Sequence, residues 1–137
     1  MKHLRVCIQY GSGWNTDIFI HLLNKKEEEL ISMGESEAIK ANNLMKKDTH
    51  LEHIVPRLIL LLETRKLIEK GRLTDEKIAR LLQKHWKVAR ISREEQQKLD
   101  LKNELDLKQT MPEGWTFEKG DTLERLKIAG IILVNRV

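Results

Sequence analysis

The sequence predicts an α+β fold: a predominantly α-helical single domain over residues 1–137, five or six helices strong, with a small sheet formed by the N- and C-terminal strands. Three observations carry this. Between Asn15 and Lys108 only Gly34, Gly71 and Pro56 interrupt a stretch dense in Leu, Ile, Glu, Lys and Arg, residues that keep rotamer freedom in a helix or pack well from one. Two β-like runs bracket that stretch, Leu4 to Tyr10 and Ile131 to Val134. No linker or repeat divides the 137 residues, a length that suits one domain.

The first run alternates Leu4, Val6, Ile8 and Tyr10 with Arg5, Cys7 and Gln9, the period of a strand with one face to bury. Gly11-Ser12-Gly13 ends it. Asn15 or Thr16 then caps a helix through Ile18, Phe19, Leu22, Leu23 and Leu30 to Met33, with Gly34 as its left-handed terminus. Ser36 caps a shorter helix carrying Ala38, Ile39, Ala41, Leu44 and Met45. Thr49-His50-Leu51-Glu52 has the spacing of a capping box and predicts another helix start. Pro56 follows, either kinking that helix or opening a new one at its first position. Leu58 to Leu62 are all apolar, which predicts the central, most buried helix, with Leu58, Leu61 and Leu62 all in the core and Gly71 at its end.

Thr74 opens the next helix, with Asp75 and Glu76 in its first turn and Ile78, Leu81, Leu82, Trp86 and Ala89 on its apolar face. Ser92-Arg93-Glu94-Glu95 is a second capping box, for a helix running to Lys108. Met111-Pro112-Glu113-Gly114 is a turn, and Trp115-Thr116-Phe117 alternates as an extended segment. Asp121-Thr122-Leu123-Glu124 is a third box, opening a helix that Gly130 ends before the closing strand, Ile131 to Val137.

Composition narrows the function classes. Lys and Arg exceed Asp and Glu by four charges, which permits an acidic protein or a nucleic acid as partner. The single cysteine, Cys7, rules out an intramolecular disulfide or an all-cysteine metal site, and points to a reducing compartment. With no secretory signal and no apolar run long enough for a bilayer, a cytoplasmic location and no membrane partner are expected.

Five patterns could carry chemistry. Gly11 to Gly13 between strand and helix could expose amides to a phosphate, but Thr16 stands where a dinucleotide fingerprint needs its third glycine. Lys77, Arg80, Lys84 and Lys87 fall on one helical stripe, extended by Arg90 and Arg93, a pattern that could neutralise phosphates. His50-x-x-His53 with Glu52 has the spacing of a metal pair on a helix, yet no companion ligands stand nearby, so no metal and no cofactor is expected. Glu27, Glu28, Glu29, Glu94 and Glu95 sit among lysines on solvent-type faces, and no nucleophile–base spacing is visible, so no enzymatic role is expected. Trp115 and Phe117, joined by Trp14, are residue types that anchor partner proteins when exposed. The leading expectation is therefore a non-enzymatic regulatory or adaptor protein binding another protein, or a second copy of itself, through Trp115, Phe117 and Trp14. The competing class is a nucleic-acid-binding regulator using Lys77 to Arg93, and the remote one a phosphate binder at Gly11–Gly13.

Overall fold

A computed structural model describes residues 32–134. The strand expected at Leu4–Tyr10, the Gly11–Gly13 turn, Trp14, and most of the helix expected to reach Met33 lie outside the described residues. Within them the order is β1 (Ser32–Ser36), α1 (Glu37–Ala41), β2 (Thr49–His53), α2 (Arg57–Lys70), α3 (Asp75–His85), β3 (Val88–Ser92), α4 (Arg93–Asp100), α5 (Glu124–Ile128) and β4 (Leu133–Val134). The expected class, α+β, is what the structure shows. Its sheet is larger than expected and draws its strands mainly from the middle of the chain. The strand order is β2-β3-β1-β4; β3 pairs antiparallel with β2 and parallel with β1, while β4 closes antiparallel on β1.

Four expectations are corrected. Thr49–Glu52 is a strand, because all five β2 residues pair with β3, from Thr49 opposite Ser92 to His53 opposite Val88. That ladder satisfies the backbone groups a helix start would need to cap, so tertiary pairing overrides the local capping pattern. Met33 and Gly34 belong to β1; Gly34, at φ 100°, sits where the β1–β3 register is irregular, a conformation that a side chain resists. Trp86 to Ala89 do not prolong α3, which stops at His85, and Val88 and Ala89 begin β3. Last, α4 ends at Asp100 rather than at Lys108. There the chain doubles back: the Leu105 and Leu107 amides donate to the Lys98 and Leu99 carbonyls.

Other elements follow the sequence closely. Pro56 stands at the N-cap of α2, and Gly71, left-handed at φ 64°, ends it. Thr74 caps α3 by accepting from the Lys77 amide. Ser92 and Glu95 form the full reciprocal box at the start of α4.

The core lies on both faces of the sheet. Alternation along β3 sends Val88 to a cluster with Leu60, Leu61, Leu67, Ile68, Ile78, Leu82 and Phe117. It sends Ala89 and Ile91 to a second cluster with Ile54, Leu99, Leu126 and Ile131. The α2 helix buries one side only, rather than being enclosed all round: Leu60 and Leu61 are buried, whereas Leu62 is 41 % exposed. Five consecutive apolar residues cover more than one full helical turn, so one of them must face away from the core.

Candidate active-site cleft

Strand geometry places His50 and Glu52 on the same side of β2. Their side chains meet, His50 Nε2 to Glu52 Oε2 at 3.1 Å. An ionised carboxylate can only accept, so Nε2 carries the proton and Nδ1 keeps the basic lone pair. The second carboxylate oxygen of Glu52 accepts from Arg125 Nη2 at 2.6 Å. Arg125 comes from α5, is fully buried, and also donates to the carbonyls of His53 (2.7 Å), Leu107 (2.9 Å) and Ile54 (3.4 Å). One guanidinium therefore ties the end of β2 to the segment that folds back after α4. That tie sets Lys108 and Gln109 beside β2.

The resulting cleft holds about 300 Å³. β2 contributes His50, Glu52 and His53; the start of α2 contributes Pro56 and Arg57; α4 contributes Gln96 and Asp100; and the fold-back segment contributes Lys108 and Gln109. Its titratable groups differ in environment. Burial pushes the Glu52 carboxyl up, but the His50 hydrogen bond and the Arg125 charge outweigh it and hold it below the ordinary carboxylate range. Asp100 is raised, first by burial and then by the negative charge of Glu52, against opposing pulls from Arg125 and Lys108. Two carboxylates with opposite shifts share one polar hollow with an imidazole. That combination can hold and move protons. Among the described residues no group of three or more His, Cys, Asp or Glu is arranged to hold a metal ion.

The aromatic and basic residues singled out from sequence fall elsewhere. Phe117 is 2 % exposed and belongs to the α2–α3 core cluster, against which Trp115 also packs. Phe117, tilted, and Trp115, edge-on, pack against buried His85 with ring centroids 5.2 and 5.1 Å away, and the Trp115 indole N–H donates to the Asp121 carbonyl. The segment is irregular rather than an extended strand, with Phe117 buried and Trp115 partly buried against the core. Of the basic stripe, Lys77, Arg80 and Lys84 are exposed on α3. Lys87 follows the helix, Arg90 lies on β3 and donates to the Thr49 hydroxyl, and Arg93 is exposed at the start of α4. The stripe is shorter than expected because α3 ends at His85.

Sequence reasoning grouped His50, Glu52 and His53 but set them on a helix, and it missed Arg125 and Asp100. No period-two alternation of apolar and polar residues runs through Thr49-His50-Leu51-Glu52-His53, so the strand carries no local signal. Nothing local marks Arg125, whose partner lies 73 residues earlier.

No helix among the described residues is long and apolar enough to cross a membrane. Comparison with protein-family models, with curated proteins and with solved structures found no match to this chain.

Proposed function

We propose that the protein is a hydrolase that acts on phosphodiesters at the β2–α4 cleft, with His50 as the general base that activates water. The observation that carries this reading is the chain Arg125–Glu52–His50. A buried arginine fixes the carboxylate, the carboxylate fixes the imidazole tautomer, and the imidazole, 33 % exposed, opens to the cleft. A base oriented in this way has lost the rotational freedom it would otherwise have to give up in the transition state. The cleft lining holds no Ser, Thr or Cys, and this reading takes water as the nucleophile.

Charge supports the substrate class. Arg57 and Lys108 line the cleft, and cations so placed stabilise charge that builds on phosphoryl oxygens. The chain carries an excess of four positive charges, and the exposed Lys77, Arg80 and Lys84 on α3 add a surface suited to a polyanion. Nucleic-acid contact through those three residues, without chemistry, is the second reading. For a role in protein binding, the leading expectation from sequence, Phe117 is buried and Trp115 partly buried, while Trp14 lies outside the described residues.

Turnover of bis(4-nitrophenyl) phosphate, assayed with and without magnesium, tests the proposal. His50→Ala and Glu52→Gln are each expected to lower the rate by about a hundredfold, the usual worth of a positioned acid–base group. A wild-type protein with no turnover in either buffer, or variants as fast as wild type, would contradict it.

A further inference from the structure

The cleft does not end at Asp100. A second, more open hollow of about 470 Å³ lies beyond it, lined by Asp100, Lys102, Asp106, Lys108, Gln109 and Thr110. Asp100, Lys108 and Gln109 line both hollows. The shared wall exists because α4 stops at Asp100 and the chain turns back on it. Asp106, in the left-handed region at φ 52°, donates its amide to the Leu101 carbonyl, and Leu107 is held by Arg125. Asp100 thus stands at the junction, with the Glu52–His50 pair on one side and the second hollow on the other.

We propose that Asp100 is the general acid of the reaction and that the second hollow is the subsite for the leaving group. This rests on the phosphodiester reading of the cleft. Water gives a proton to His50 Nδ1 as its oxygen bonds to phosphorus; the bond from phosphorus to the leaving oxygen breaks, and Asp100 passes its proton to that oxygen. Bond making and breaking and the two proton transfers balance without a further reactant. Every charged neighbour of Asp100 bears on the role. Burial and the Glu52 charge raise the Asp100 carboxyl above its ordinary value, against opposing pulls from Arg125 and Lys108. The second hollow suits the remainder of a polymer, since Lys102 and Lys108 offer cations to the next phosphate, and Gln109 and Thr110 offer hydrogen bonds to a sugar.

Leaving-group chemistry separates this inference from the reading beneath it. 4-Nitrophenolate departs without a proton, whereas the sugar alkoxide of an oligonucleotide requires one. Asp100→Asn is therefore expected to slow oligonucleotide cleavage by about a hundredfold and to slow bis(4-nitrophenyl) phosphate turnover far less, because nitrophenolate leaves without a proton. Asp100→Glu, which keeps the proton, should retain oligonucleotide cleavage and guards against a merely structural loss. Equal slowing of both substrates by Asp100→Asn, or slowing of neither, overturns the general-acid assignment while the hydrolase reading stands. Absence of turnover of either substrate by the unaltered protein overturns the reading and the subsite together.

Discussion

Replacing Arg125 by Met is expected to destabilise the protein by about 3–5 kcal/mol, the cost of breaking a buried ion pair from one side. The side chain is fully buried and meets Glu52 and three backbone carbonyls. Methionine fills a similar volume, so the loss is electrostatic rather than a cavity. It leaves the buried Glu52 carboxylate with His50 alone and removes the donor from three carbonyls at once. Urea unfolding measures it: a lower midpoint at unchanged slope is the expected form. The double variant Glu52→Gln, Arg125→Met should be less destabilised than the two single losses summed, because the residues are in direct contact. A loss below about 1 kcal/mol, the range of exposed pairs, would mean that the guanidinium does not brace the cleft. The pair also has an acid limit. Glu52 sits below its ordinary value in the folded state, so its contribution is full above the unfolded value and disappears as pH falls through the folded one.

Phe117→Ala is expected to cost about 3–5 kcal/mol, the usual range for removing a buried aromatic ring. Phe117 packs in the α2–α3 cluster, and its carbonyl accepts from His85 Nε2 at 2.7 Å. A carbonyl can only accept, so Nε2 is protonated and Nδ1 faces the Thr122 hydroxyl at 2.9 Å. Trp115→Ala should cost less, since that ring is only partly buried. Thermal melts of both variants provide the check; a Phe117→Ala protein as stable as wild type would contradict the packing role. The same node predicts an acid dependence. Burial pushes His85 down from 6.5, Lys84 and Lys87 add to that, and the Phe117 carbonyl and Asp121 oppose it. A depressed histidine binds its proton more readily in the unfolded chain. Its contribution is therefore present above 6.5 and is lost as pH falls toward the folded value.

What was legible in the sequence was whatever local chemistry decides. Thr74 and the Ser92–Glu95 box start their helices, and Gly71 ends α2, because a cap or a left-handed residue acts within a few positions. Thr49–Glu52 misled because the same four residue types serve a capping box or a strand, and the choice belongs to β3, some forty residues away. Leu62 misled because a run of leucines hides which side faces the core. The cleft was half legible. His50, Glu52 and His53 stand together in sequence, but their geometry depends on Arg125 and Asp100, which arrive from α5 and α4 through long-range contacts. No periodicity encodes such a meeting.

Whether the cleft is where a phosphodiester binds can be read directly from amide chemical shifts as a dinucleoside monophosphate is titrated into the 15N-labelled protein. Shifts concentrated at Glu52, Arg57, Gln96, Asp100 and Lys108 are the expected result, since those residues line the cleft. Shifts confined to Lys77, Arg80 and Lys84 on α3, or none at all, would contradict it.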